Sequence, residues 1–136
     1  MTLEPWQRAF LEEKRYAVLG TKNPSGLPHL TAMWYLLEGD EILLNTAEGR
    51  AKPRNIAADP RVSFIVVDPS GYPFVRIDGR VRTIDDQRTT QADIRRIAQR
   101  YYEDESRTER AMLENFSKQH RISYRLPIQR VYAAQR

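Results

Sequence analysis

Three short turn signals, Asn23-Pro24-Ser25-Gly26, Gly39-Asp40 and Asp68-Pro69-Ser70-Gly71, most narrowly limit what this chain can become. Each stands between runs rich in aliphatic, aromatic and β-branched residues, and a connection this short returns the chain antiparallel. Residues 15–22, 27–37, 41–46, 61–67 and 74–84 therefore read as strands joined largely by hairpins. In the last of these, Val75, Ile77 and Val81 alternate with Arg76, Asp78, Arg80 and Arg82, the period of a half-buried strand. Residues 121–134 return to strand character, and Pro127 inside them predicts an edge or a bulge.

Helical spacing occupies the remaining segments. Thr2 is placed to cap a first helix that tolerates Pro5 in its opening turn and sets Trp6, Ala9 and Phe10 on one face. Asp85 or Asp86 caps a longer helix carrying Ile94, Ile97, Ala98 and Tyr101. Ser106 and Glu109 form a capping box that leads into Met112, Leu113 and Phe116. A short helix is expected to start at Pro53 and stop before Pro60, because Lys52 precedes a proline and is pushed away from helical conformation.

The order α-β-β-β-α-β-β-α-α-β predicts one domain over residues 1–136, mainly β with α (α+β), whose six antiparallel strands close into a barrel. The 27–37 strand is apolar on both faces, with Leu27, Met33, Tyr35 and Leu37 on one and Leu30, Ala32, Trp34 and Leu36 on the other. Its outer face needs cover, from a second subunit or from a flat cofactor ring.

With no cysteine, the chain has no disulfide, thiolate metal site or cysteine nucleophile. His29 and His120 fall short of a histidine-rich metal site, and there is no GxSxG, P-loop or GxGxxG pattern. Any catalysis is therefore expected to be carried by a cofactor. Apolar runs such as Ile65-Val66-Val67 are too short to cross a bilayer, so no membrane partner is expected. The first residues lack the layout of a signal peptide, which makes a cytoplasmic location the default expectation.

The net charge of +4 is unevenly spread. Residues 50–82 hold seven basic groups (Arg50, Lys52, Arg54, Arg61, Arg76, Arg80, Arg82) against Asp59, Asp68 and Asp78, which suits an anionic partner. Interleaved acids and the lack of a recognised motif argue against nucleic acid. Arg50 and Lys52 flank Ala51 just before the expected helix start. In an extended segment both would point to one side, where the helix N-terminus adds N–H groups for a phosphate. A polar, solvated connector is the alternative reading of the same residues.

The run Gly49-Arg50-Ala51-Lys52-Pro53-Arg54-Asn55, followed by Asp59-Pro60-Arg61-Val62, resembles the signature of pyridoxamine-phosphate-oxidase-like split-barrel proteins. It is most similar to their branch of F420-dependent oxidoreductases. The strand Leu27-Pro28-His29-Leu30-Thr31-Ala32-Met33-Trp34-Tyr35, Gly79, and Leu126-Pro127-Ile128 extend the likeness along nearly the whole chain. The resemblance implies a six-stranded antiparallel split β-barrel with flanking helices, working as a homodimer with sites at the subunit interface. By position it implies that Arg50, Ala51 and Lys52 hold the cofactor phosphate and that Asn55 fixes the loop or its ligand. Thr31, Ala32, Met33 and Trp34 would lie along the ring, Asn45 and Thr46 would line the approach to the phosphate, and Tyr72 would come from the partner subunit. The implied activity is hydride transfer from reduced coenzyme F420 to an electron-poor organic small molecule. An FMN-dependent oxidase or reductase and a non-enzymatic cofactor carrier are the alternatives. No catalytic side chain is implied, and no metal.

Overall fold

A computed structural model describes residues 3–136. Thr2, the expected first cap, lies outside the described residues. Helix α1 (Pro5–Glu12) instead begins at Glu4, whose backbone N–H donates to the Gln7 side-chain oxygen at 2.9 Å. It buries Phe10 and Leu11 and leaves Ala9 exposed. Strands β1 (Ala17–Lys22), β2 (Pro28–Met33), β3 (Leu36–Glu38) and β4 (Glu41–Ala47) follow, then helix α2 (Ala51–Ala58). After β5 (Arg61–Val67), β6 (Phe74–Arg80) and β7 (Arg82–Ile84) come helices α3 (Gln87–Tyr102) and α4 (Glu105–Glu114) and a 3-10 turn at Phe116–Lys118. Strands β8 (Arg121–Pro127) and β9 (Arg130–Ala134) end the chain.

All six expected strand segments are present, but the three longest each break in two. The result is a five-stranded sheet, β2-β1-β5-β6-β9, and a four-stranded sheet, β3-β4-β8-β7, with antiparallel pairing throughout. The expected closed barrel is thus replaced by two separate ladders that long strands pass between. Each break has a local cause, because a backbone group is satisfied outside the sheet. At Tyr35 the N–H donates to the Tyr101 hydroxyl at 3.2 Å and the carbonyl accepts from Arg100, both on α3. The Val81 N–H donates to the Pro60 carbonyl at 3.0 Å, and the Ile128 N–H to the Asp40 carbonyl at 2.9 Å. Strand β8 lies between β4 and β7, but its pairing with β7 stops at Arg125, so Pro127, the strand's last residue, is paired to Glu41 on one side only, as a proline at a locally open edge requires. Gly79 permits the sheets to approach, since a Cβ there would stand 3.1 Å from Leu126 Cδ1.

The sheets pack Leu19, Phe64, Val66, Val75 and Ile77 against Ile42, Leu44, Tyr124 and Leu126. The far side of the four-stranded sheet is covered by the helices, through Leu43, Ile94, Ile97, Tyr101 and Met112. Asp86 caps α3 by accepting from the Thr89 N–H at 3.1 Å. The cap of α4 is Asp104 and not Ser106. Its carboxylate takes the Ser106 and Arg107 N–H groups together, while Glu109 pairs with Arg95. Leu113, expected to face inward, is 68% exposed; the buried stripe runs through Thr108, Ala111 and Met112.

Among the described residues nothing covers the outer face of the five-stranded sheet. Val18, Leu30 (66% exposed), Val67 and Tyr132 all present side chains there. Among the described residues no helix is long and apolar enough to cross a membrane.

Candidate anion and cofactor site

Strand β4 delivers the chain to the site. After Ala47 the backbone turns at Gly49, whose φ of +92° favours glycine, and enters α2 with Arg50 at the N-cap. The helix therefore starts two residues before the expected Pro53, and Lys52 is helical after all. Proline is tolerated in a first turn, where N–H groups have no intrahelical acceptor in any case. Ala51 and Lys52 contribute such free N–H groups; Pro53 contributes none.

A cavity of about 440 Å³ opens beside this helix start. It brings together seven of the residues singled out from the sequence: Ala32, Met33, Trp34, Asn45, Thr46, Arg50 and Lys52. Tyr16, Ile94, Ile97, Phe116 and Arg121 complete the wall; Ile94, Ile97 and Phe116 were expected only as apolar helix faces, and none of the five as a site residue. Arg121 is the most consequential. It begins β8 opposite Ala47, so the antiparallel β4–β8 register alone carries it to Arg50 across 71 positions of sequence. No local motif announces it.

The electrostatics of this cavity are one-sided. Arg121 is 4% exposed and Lys52 8% exposed. Arg121 Nε donates to the Asn45 side-chain oxygen at 2.8 Å and one Nη donates to Gln119 at 2.6 Å, both neutral acceptors. Among the described residues Arg50, Lys52 and Arg121 enter no ion pair, and no carboxylate lines the cavity. Burial lowers the Lys52 pKa, and the neighbouring charges of Arg50 and Arg121 lower it further. Burial, then Arg50, pulls Arg121 down to about 10, which leaves it charged at neutral pH. Buried cations are normally paired. Three cations thus line one cavity, and their N–H groups suit an anionic hydrogen-bond acceptor. The Thr46 hydroxyl, also buried and without a partner among the described residues, adds one more polar atom to the same wall.

The other wall is apolar and aromatic. Trp34 stacks on Tyr101 with centroids 5.0 Å apart and an interplanar angle of 6°, and meets Tyr102 edge-on at 5.1 Å. One face of the indole is therefore already occupied, and the side chain is held rigidly where it lines the cavity.

Four expected residues stand outside. Thr31 pairs across from Leu19 within the sheet and does not line the cavity. Ala51 lines a neighbouring groove of about 510 Å³ with Arg50 and Arg54. Asn55 is buried and donates to Thr21 Oγ1 at 3.1 Å and to Asn23 Oδ1 at 3.0 Å, so it ties α2 to β1 and its turn. Tyr72 is 47% exposed beside Phe74, away from the cavity of its own chain.

The expected broad basic track also contracts. Arg61, Arg76 and Arg82 are neutralised by Asp59, Asp78 and Glu41, with contacts of 2.7, 3.1 and 3.1 Å. A larger cavity of about 760 Å³ lies on the open outer sheet, where the Asp59–Arg61 pair and Asp78 stand among Lys22, Arg80 and Arg130. The smaller cavity has the buried, unpaired charge.

The sequence profile of the pyridoxamine 5'-phosphate oxidase family matches residues 3–131. No curated protein matches the chain. Among solved structures, a protein described as an F420 reductase is 24% identical with a TM-score of 0.75, covering 96% of this chain and 98% of its own. The conserved hypothetical protein Rv2991 from Mycobacterium tuberculosis is 27% identical with a TM-score of 0.78, covering 99% and 86%. HutZ, the heme storage protein from Vibrio cholerae, is 16% identical with a TM-score of 0.70, covering 98% and 95%. At their identities the first and third of these share the α+β fold alone.

Proposed function

Because this chain belongs to the pyridoxamine 5'-phosphate oxidase family of flavin- and deazaflavin-binding proteins, we propose that its cavity holds coenzyme F420 by the phosphate and serves an oxidoreductase. One observation carries the reading: Arg121 and Lys52 are buried beside Arg50 in one cavity, and the side-chain acceptors of Arg121 there are the neutral amides of Asn45 and Gln119. Arg50, Lys52 and Arg121 bind the phosphate, with Thr46 as a further donor. Ala32, Met33 and Trp34 orient the ring and exclude water from one side of it. When bound and reduced, the cofactor supplies the hydride that an electron-poor organic acceptor takes up. The groove lined by Arg50 and Arg54, with Glu48 as its one carboxylate, gives an anionic tail a path away from the phosphate, which FMN does not need.

Fluorescence titration is expected to show F420 binding at least about tenfold more tightly than FMN, a difference of about 1.4 kcal/mol. Equal affinities or a preference for FMN would transfer the site to an FMN enzyme on the same fold. Hemin followed by absorbance is the third arm; neither His29 nor His120 lines the cavity, and tight axial ligation would overturn the reading.

The working unit is proposed to be a homodimer, formed over the uncovered outer sheet face, with Tyr72 of one subunit closing the site of the other. Light scattering at micromolar concentration is expected to return about twice the 15.9 kDa chain mass. A monodisperse monomer that binds cofactor with full affinity would remove both the dimer and the role of Tyr72.

A further inference from the structure

Arg121 reaches the cavity wall at the end of a buried polar chain that begins on α3. Asp93 is buried, with one carboxylate oxygen taken by Arg96 at 2.8 Å. Its other oxygen accepts from the Ser123 hydroxyl at 2.8 Å. Ser123 in turn accepts from Asn45 Nδ2 at 3.0 Å, and Nδ2 also donates to the Thr90 carbonyl at 3.0 Å. The Asn45 oxygen then receives Arg121 Nε at 2.8 Å.

Every link has one permitted direction. A carboxylate in an ion pair only accepts, so the serine proton must point to Asp93. A serine whose proton is committed offers only lone pairs, and a backbone carbonyl only accepts, so the Asn45 amide must turn its NH₂ to both. Its oxygen is left facing Arg121. The other end of the guanidinium is set by Gln119, and the second Nη has no acceptor among the described residues.

We infer that Asp93, Ser123 and Asn45 form a positioning relay that presents the free edge of Arg121 to the bound anion. This rests on the phosphate reading of the cavity. The relay explains why a cation is tolerated here without a carboxylate beside it: the negative charge stands two residues away, and the guanidinium meets the neutral amides of Asn45 and Gln119 and the ring of Phe116. A carboxylate in place of Asn45 would neutralise Arg121 and compete with the phosphate.

The test is a double-mutant cycle read as F420 affinity in folded protein. Asn45→Ala is expected to weaken binding about tenfold in the wild-type background and less than about twofold when Arg121→Ala is already present. Ser123→Ala, a smaller change that keeps the Thr90 contact, should give a reduced loss with the same dependence on Arg121. Losses that multiply independently, or variants that lower thermal stability and leave affinity intact, would overturn the relay and leave the cofactor reading standing. If neither F420 nor FMN binds the wild type, the cofactor reading falls, and inorganic phosphate tests the relay alone. Its addition should shift the Arg121 Nε–H resonance in wild type and not in Asn45→Ala; an unmoved resonance in wild type overturns the relay.

Discussion

Arg121→Ala is expected to weaken cofactor binding by about 2–5 kcal/mol, the range for truncating one partner of a desolvated charged contact. The guanidinium is almost fully buried and held on two sides by Asn45 and Gln119, so little side-chain freedom is lost when an anion arrives. A phosphate contact is made in ground state and transition state alike, so the loss should fall on affinity while turnover at saturation is kept. Lys52→Met should weaken binding in the same direction and carry a second signature. A base whose folded pKa is depressed binds its proton less well folded than unfolded. Its penalty is fully present below the folded pKa and is relieved as pH rises through it toward the ordinary 10.5. The methionine variant should therefore unfold at higher denaturant concentration than wild type when ligand is absent, and at lower relative stability once cofactor is added. Arg88→Ala, on the exposed side of α3, is the control. If all three variants bind cofactor as wild type does, the anion site is disproved.

Arg100→Ala is expected to destabilise the fold by about 3 kcal/mol or more, since it leaves several carbonyls without their charged donor. Arg100 donates to the Leu11, Glu12 and Glu13 carbonyls at 3.2, 3.1 and 2.7 Å, and to the Tyr35 carbonyl. It thereby closes the C-terminal end of α1, whose last carbonyls have no helical partner. The same guanidinium lies over the Tyr35 and Tyr101 rings at 4.8 and 5.2 Å. One side chain thus joins α1, α3 and the break between β2 and β3. Arg100→Lys should recover only a minor part, because an ammonium cannot fork across carbonyls on two elements. Urea unfolding measures both; an alanine variant within about 0.5 kcal/mol of wild type would place Arg100 among ordinary surface residues.

Much of this architecture was legible before any coordinates. Turn chemistry is local, so Asn23-Pro24-Ser25-Gly26 and Asp68-Pro69-Ser70-Gly71 marked hairpins that the structure contains between β1 and β2 and between β5 and β6. Residue alternation located the strands, and Arg50 and Lys52 pointed to an anion site through charge and the adjoining helix. Helix ends were less legible. Asp104 and Ser106 are both good caps, and the choice depended on which side chain could take two N–H groups at once. Pro53 looked like a helix start, yet a proline inside the first turn costs nothing that was not already lost.

The sequence by itself determined the antiparallel order, the α+β class and two of the three members of a cationic cluster, because periodicity, turn geometry and charge act over a few residues. Only the tertiary structure decided where the long strands break, since Tyr35 is drawn out of its ladder by Tyr101 and Arg100, more than sixty positions away. Only it decided which arginines are free, because Arg82 meets Glu41 across the fold and no pattern in residues 50–82 foretells that. Arg121 belongs to the same class. Its place beside Arg50 and Lys52 follows from a β4–β8 register, and a register is a property of two strands together.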